Sequence, residues 1–344
     1  MVKFSILAKS FLASSIHRTG LLPLKLTKIP KSNFVILMYH RVISEVGPEN
    51  GVQAGMYVEP NTFKRHLLFL KRYFSVRPIS EIISRTKENI KFIDGKPFCA
   101  LTFDDGWHDF YTNCFPILKA YDLPATVFLA TDLIGTSGLF WTDRLSHALA
   151  SLDRSMRAGE LKPASSSSVA IRLMGLKGSL EDRLEKAIEI LKALRREEIE
   201  TVLSDLEKIS VLNREPKHRS FLSWEEVSEM RATALISFGS HTAAHSILTT
   251  LMDGEIQREL VKSREILISE KIVDPTFIPF SYPNGNYNEK IINIVRNAGY
   301  HLAVTTDKGW NDLATNPFTL KRIPVHQDMT RTEAMFGCRI ANIL

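Results

Sequence analysis

Three things are scarce in this chain of 344 residues, and each absence excludes something. Cysteine is the first: Cys99, Cys114 and Cys338 are too few and too scattered for a disulfide framework or a cysteine-rich metal site. Their odd number points to a reducing, cytoplasmic location. Long apolar runs are the second, since no stretch of about 18 or more apolar residues occurs and a transmembrane helix is not expected. Acidic residues are the third, being absent from Met1 to Arg41, where seven basic residues lie (Lys3, Lys9, Arg18, Lys25, Lys28, Lys31 and Arg41). Of the net charge of +6, the arm therefore supplies all, and the remaining chain stands at −1. A basic groove for nucleic acid is not indicated. With 44% apolar residues the chain has enough to bury that disorder is excluded as well.

Within the arm, Phe4, Leu7, Ala8, Phe11 and Leu12 recur at helical spacing. Two readings stand: an interfacial helix drawn to anionic lipid, or a helix lying over the domain's flank. A secretory signal fits less well, because Lys9 interrupts the apolar stretch and no A-x-A site follows. Peripheral membrane contact through residues 1–31 is the expectation carried forward.

Beyond the arm (1–32), strand and helix patterns alternate through residues 33–344. The alternation predicts strands at Phe34–Tyr39, Phe98–Phe103, Ala125–Ala130, Leu235–Gly239, Thr276–Phe280, His301–Thr305 and Thr319–Val325. Helices are expected from a cap at Asn61-Thr62, from Ser80, over Tyr111–Tyr121, from Ser223, over Asp253–Glu270 and over Asn288–Asn297, with Gly299 just beyond the last. From about 142 to 220 the alternation stops. A serine tract (Ser165–Ser168) and two amphipathic helices occupy this stretch, one opening at Ser179-x-x-Asp182, and together they read as a helical insertion. Repeated βα units predict an α/β fold with a parallel sheet closed into a barrel, its chemistry at the C-terminal strand ends.

Polar clusters fall at those ends. Thr102-Phe103-Asp104-Asp105-Gly106 sets two adjacent carboxylates that point apart, so one can bind a cation while the other stays free as a base. His241 and His245, four apart, would face one way on a helical turn, a spacing that suits a divalent metal. A carboxylate from a neighbouring strand end would complete a His, His, Asp set with room left for water. Pro283-Asn284-Gly285 is a turn able to aim backbone N–H groups at an oxyanion, and His40 ends the first strand. Trp107 and Trp141 follow strand ends, where they would either stack on sugars or pack structurally.

The segments ILMYHRV (36–42), LTFDDG (101–106), SFGSHTAAH (237–245), FSYPNG (280–285), AVTTDKG (303–309) and LKRIPV (320–325) together resemble the polysaccharide deacetylase superfamily, in the subgroup that opens with a YH motif. The resemblance implies a distorted (β/α)7 barrel of parallel strands and hydrolysis of N-acetyl groups on glycan amino sugars, in bacterial surface-polysaccharide metabolism. It implies Asp104 as base, Asp105, His241 and His245 as metal ligands, and a divalent ion, Zn2+ first, with Co2+, Ni2+ or Mn2+ as alternatives. The expected partner is an N-acetylated glycan, with enzyme at the cytoplasmic side of the inner membrane. His40 is the expected acid, with His326 as competitor. Tyr282, Asn284 and Trp310 are expected around the substrate or oxyanion. Many members carry an Arg where this chain has Ser281, and Arg322 is the expected replacement beside Asp104. A catalytically silent carbohydrate-binding protein and an O-deacetylase are the rival readings.

Overall fold

The structure is a computed structural model that describes residues 2–30, 33–44, 52–53, 55–87, 95–159, 167–209 and 219–343. Lys31 of the arm and Ser165 and Ser166 of the serine tract lie outside the described residues, as do the side chains of Phe4 and Leu7. The chain forms two compact units: one of residues 1–44, 57–136 and 221–344, the other of residues 45–56 and 137–220.

In the first unit, seven parallel strands among the described residues close into a barrel. They are β1 (Phe34–Tyr39), β2 (Phe98–Phe103), β3 (Ala125–Leu129), β4 (Ile236–Ser240), β5 (Pro279–Ser281), β6 (Leu302–Lys308) and β7 (Leu320–Pro324). They pair in chain order, and β1 closes the ring by pairing with both β2 and β7. A two-residue strand, Ser75–Val76, adds to the outside of β2. The expected strands are thus all present, β1 and β2 with the expected bounds and the other five shifted at their ends by one to three residues.

Side chains alternate across each strand, so residues two apart share a face. Phe34 and Ile36 of β1 meet Phe98 and Ala100 of β2, Phe128 of β3, Leu302 and Val304 of β6 and Leu320 of β7 in one buried cluster. Counting on by twos, the same faces carry Met38 then His40, Thr102 then Asp104, and Arg322. The apolar filling of the barrel therefore gives way to polar groups at the C-terminal strand ends. The opposite faces pack under helices: Tyr39 stacks on Phe103 at 5.1 Å and meets Phe63 edge-on. His66, on the helix Pro60–Tyr73, donates from Nε2 to the Thr330 carbonyl (2.7 Å) and accepts the Tyr39 hydroxyl at Nδ1 (3.2 Å). Burial pushes the His66 imidazole down to about 3, so it is a neutral core group. This helix starts at Pro60 with Glu59 before it, which corrects the cap expected at Asn61-Thr62. Pro60, whose missing N–H costs nothing in a first turn, sets the start instead.

The second unit has a core of its own. Its helices Trp141–Ala158, Ser168–Met174, Leu180–Leu191 and Arg196–Ile209 bury Leu145, Leu149, Leu184, Leu191, Leu203 and Leu206 together. The capping box at Ser179 and Asp182 forms as its spacing predicts. Trp141, half-buried, packs against this core, in line with the structural one of its two readings. In the barrel unit the Gly135 amide donates to the Leu222 carbonyl at 2.7 Å, so the two ends of that unit flanking residues 137–220 lie side by side.

Candidate metal centre and active site

Three loops at the C-terminal ends of β2, β4 and β5 build the site. After β2, Asp104 continues the ladder, its amide donating to the Tyr39 carbonyl at 3.0 Å. The backbone then turns left-handed at Asp105 (φ +78°) and Gly106 (φ +78°). A Cβ at Gly106 would lie 2.8 Å from Leu129 and 2.9 Å from Ile134, so glycine is required there for space as well as for φ. After β4, the His241 amide donates to the Leu129 carbonyl at 2.8 Å. Thr242 (φ +64°) and His245 (φ +58°) are both left-handed, so the two histidines lie on an irregular loop and the expected helical turn is absent. Two bonds from the segment after β3 tie this loop down, the Thr131 amide donating to the Thr242 carbonyl at 3.3 Å and the Asp132 amide to the Ala243 carbonyl at 2.8 Å. With Asn284 (φ +57°), four of the eight non-glycine residues of positive φ among those described belong to this site, where strain of this kind concentrates.

The loops bring Asp105, His241 and His245 together, with one donor atom from each lying within 4.8 Å of the others. Asp105 Oδ1 is 3.4 Å from His241 Nε2 and 3.3 Å from His245 Nε2. That oxygen is buried and has no hydrogen-bond partner, a state that is costly unless something else satisfies it. His241 donates from Nδ1 to the Ser281 carbonyl at 2.8 Å, which leaves the Nε2 lone pair aimed inward. Asp104 and Asp105 carry two negative charges against the single positive charge of Arg322, all three buried. A divalent cation would satisfy the orphaned oxygen, use both imidazoles and offset the remaining charge. The donor set therefore fits a metal, and it is the one such group among the described residues.

Asp104 stands beside this set and outside it. Arg322, wholly buried, clasps it through two parallel bonds, Nη1 to Oδ1 and Nη2 to Oδ2, each 2.7 Å. Arg322 also donates to the Thr305 carbonyl (2.8 Å) and the Ser281 hydroxyl (3.1 Å), so Ser281 yields its place to a guanidinium reaching in from β7. Burial pushes the Asp104 carboxyl up, but the charge and hydrogen bonds of Arg322 outweigh it and leave Asp104 below the usual range. It is an anion at neutral pH, and each oxygen keeps a lone pair that Arg322 does not use.

His40 is half-buried on the inward face of β1 and feels Asp105, Asp104, Arg322 and His241. Burial lowers its imidazole by more than the two carboxylates raise it. His326 senses Arg339, Asp328 and His40, and neither carboxylate of the cluster. Position thus separates the two histidines.

Two expected site residues lie elsewhere. Tyr282 is wholly buried, with its hydroxyl donating to the Phe318 carbonyl at 3.1 Å. It follows inward-facing Ser281, so alternation turns it away from the barrel mouth. Trp310 donates to the Ile340 carbonyl at 2.8 Å and lies 6.1 Å from Phe74. The pairing of β6 with β7 shifts register, and Asn311 then pairs with Phe34 at the start of β1, which carries Trp310 to the opposite end of the barrel. Asn284 is exposed on its turn beside the site loops.

Sequence reasoning missed two supports. Trp107, buried, donates its indole N–H to Asp105 Oδ2 at 2.8 Å and stacks on Phe221 at 4.8 Å. The Arg41 guanidinium lies 4.4 Å over the Trp107 ring and is fixed by Asp109 at 2.7 Å. A buried Trp donating to the Asp105 carboxylate replaces the sugar platform considered for it. Glu259, on the helix Asp253–Ser269, accepts from the Ala244 amide (2.9 Å) and the Ser246 hydroxyl (3.0 Å), clamping the histidine loop. Its only signal in the sequence is a place among several charges on a helix.

A closed parallel barrel with an Asp-His-His cluster and a second, Arg-paired carboxylate at its strand ends defines an α/β-barrel protein with a candidate metal centre. The family model for polysaccharide deacetylase matches residues 93–303, more than half the chain, and the chain belongs to that family. The polysaccharide deacetylase homologue YxkH of Bacillus subtilis (strain 168) is 23% identical over 313 residues, covering 90% of this chain and 76% of that protein. The poly-beta-1,6-N-acetyl-D-glucosamine N-deacetylase of Escherichia coli (strain K12) is 33% identical over 100 residues, 28% of this chain and 14% of that one. Among solved structures, the Streptococcus pyogenes deacetylase PplD in complex with acetate superposes with a TM-score of 0.57 at 21% identity, covering 88% of this chain and 96% of that chain.

Proposed function

We propose that this deacetylase removes N-acetyl groups from amino sugars of a glycan in a metal-dependent hydrolysis, with polymers of N-acetylglucosamine as the first substrates to try. The observation that carries the reading is the orphaned Asp105 oxygen between two imidazoles, with the Arg322-held Asp104 beside it. The similarity to a poly-beta-1,6-N-acetyl-D-glucosamine N-deacetylase supports the choice of substrate. The complete donor set argues against a silent binding protein.

Asp105, His241 and His245 would hold the ion, which when bound would polarise the acetyl carbonyl and make water more acidic. Asp104, anionic and fixed by Arg322, takes a proton from the attacking water as its oxygen bonds to the carbonyl carbon. The Gly285 and Asn286 amides are turned back onto the Tyr282 and Pro283 carbonyls, so an oxyanion contact from this turn falls to the Asn284 amide. His40 in its protonated form gives that proton to the amine nitrogen as the C–N bond breaks, and the proton taken up by Asp104 restores it for the next cycle. The products are acetate and the amino sugar. Acetate release from N-acetylglucosamine oligomers, measured with chelator and after return of Zn2+, Co2+, Ni2+ or Mn2+, tests the reading. Release should stop with chelator and recover with at least one ion; no release with any ion overturns it.

Trp107 acts here as a positioning residue. Its N–H holds Asp105 Oδ2 so that Oδ1 faces the imidazoles. A Trp107→Phe variant keeps a ring on Phe221 and under Arg41 and removes only the donor. Metal affinity should fall by about 10–100-fold in competition with a chromophoric chelator. A change in thermal midpoint without a change in affinity would mean that the indole serves packing alone.

A further inference from the structure

We infer that the arm is a docking surface for an anionic lipid bilayer. It folds as two helices, α1 (Val2–Arg18) and α2 (Leu21–Thr27). One side of each is spoken for. Ala13 of α1 is buried with Ala334, Met335 and Cys338 of the helix Glu333–Ile340. Leu22 and Leu26 of α2 are buried too, and Leu22 lies where a Cβ on Gly337 would come within 2.5 Å of it. The arm is thus seated on the barrel unit by its small residues and by two leucines.

The apolar stripe noted in the sequence is not the seated side. At 3.6 residues per turn Ala8, Phe11, Leu12 and Ser15 share a face roughly opposite Ala13, and all four are exposed. Phe11 is 78% exposed and Leu12 49%, while on α2 Leu21 is 55% and Leu24 51% exposed. Of the nine exposed large apolar side chains among the described residues, four fall in this short arm. Scattered singles need no explanation, but a concentration of this kind marks an interaction surface.

Charge selects the occupant. Arg18, Lys25 and Lys28 are exposed beside these side chains, and no acidic residue between Met1 and Arg41 offsets them. A second copy of the same arm would bring like charges together. An anionic lipid surface accepts both halves of the pattern, taking the apolar groups at the acyl boundary and the cations at the headgroups.

Sedimentation of the full chain with phosphatidylcholine vesicles, with and without phosphatidylglycerol, tests this in the absence of any glycan. The chain should bind only when phosphatidylglycerol is present and should come off as salt is raised. Phe11→Ser/Leu12→Ser/Leu24→Ser should lower partitioning at least about tenfold. Lys25→Glu/Lys28→Glu should lower it by about fivefold for each residue changed. These residues are exposed, so both variants should keep the wild-type thermal midpoint and the wild-type rate on a soluble oligosaccharide. Absence of binding to phosphatidylglycerol vesicles overturns the inference, as does an apolar variant that binds like the wild type. So does a wild-type dimer that the apolar substitutions dissolve, since the surface would then belong to a second copy. None of these outcomes depends on whether the glycan chemistry proposed above is right.

Discussion

An Asp104→Asn protein should bind its divalent ion about as tightly as the wild type and release acetate about a thousandfold more slowly. The first half follows from placement. The ligand atoms converge at Asp105, His241 and His245, and Asp104 is not among them. The second half follows from charge. Arg322 keeps Asp104 anionic at neutral pH by two bonds of 2.7 Å, and an amide of the same shape cannot accept the proton that attack by water releases. The pairing also limits the base, because a carboxyl held below its usual range takes up a proton less readily than a free one. Rate and metal content measured on the same preparation separate the two halves. Near wild-type release by the variant would remove Asp104 from the chemistry, and loss of the ion with the rate would make it a part of the metal centre.

The barrel was legible because its strands are short apolar runs, buried on both faces, between helical patterns. Their alternation says more than their existence. Counting by two from Phe34 and Phe98 brings His40 and Asp104 to the inside, and counting from Leu320 brings Arg322 to meet them. The same count turns Tyr282 outward after Ser281, so that misplacement was avoidable. The histidine loop was not legible in this way. Four-residue spacing suits a helical turn, and nothing in Thr242 or His245 signals left-handed backbone; the loop's carbonyls at Thr242 and Ala243 accept instead from Thr131 and Asp132, which are distant in sequence. Trp310 was out of reach for a related reason, since a register shift late in β6 moves it to the other end of the barrel. Trp107 acts through one hydrogen bond across a bend and Glu259 through two to a loop distant in sequence, and no periodicity reports those.

Arg322→Met should destabilise the protein by about 3–5 kcal/mol at neutral pH, because Asp104 would be left charged and unpaired in the barrel. The sign with pH is definite. In the wild type, Asp104 is held below its ordinary value, so its contribution to stability is present above the ordinary carboxylate range and lost as pH falls through the depressed value. In the variant, burial acts with the guanidinium gone and raises the carboxyl, so the protein gains by protonating it. The gap between variant and wild type in chemical denaturation should therefore be widest near neutrality and narrow on acidification. The double variant Asp104→Leu/Arg322→Met removes both charges together and should recover most of the lost stability without recovering acetate release. That contrast separates the two consequences of burying an ion pair in the barrel. On the proposed mechanism, full recovery by the double variant means that Arg322 serves the fold by compensating Asp104, and that Asp104 serves the reaction. A double variant as unstable as Arg322→Met alone would show instead that the guanidinium's bonds to Thr305 and Ser281 hold the strand ends together on their own account.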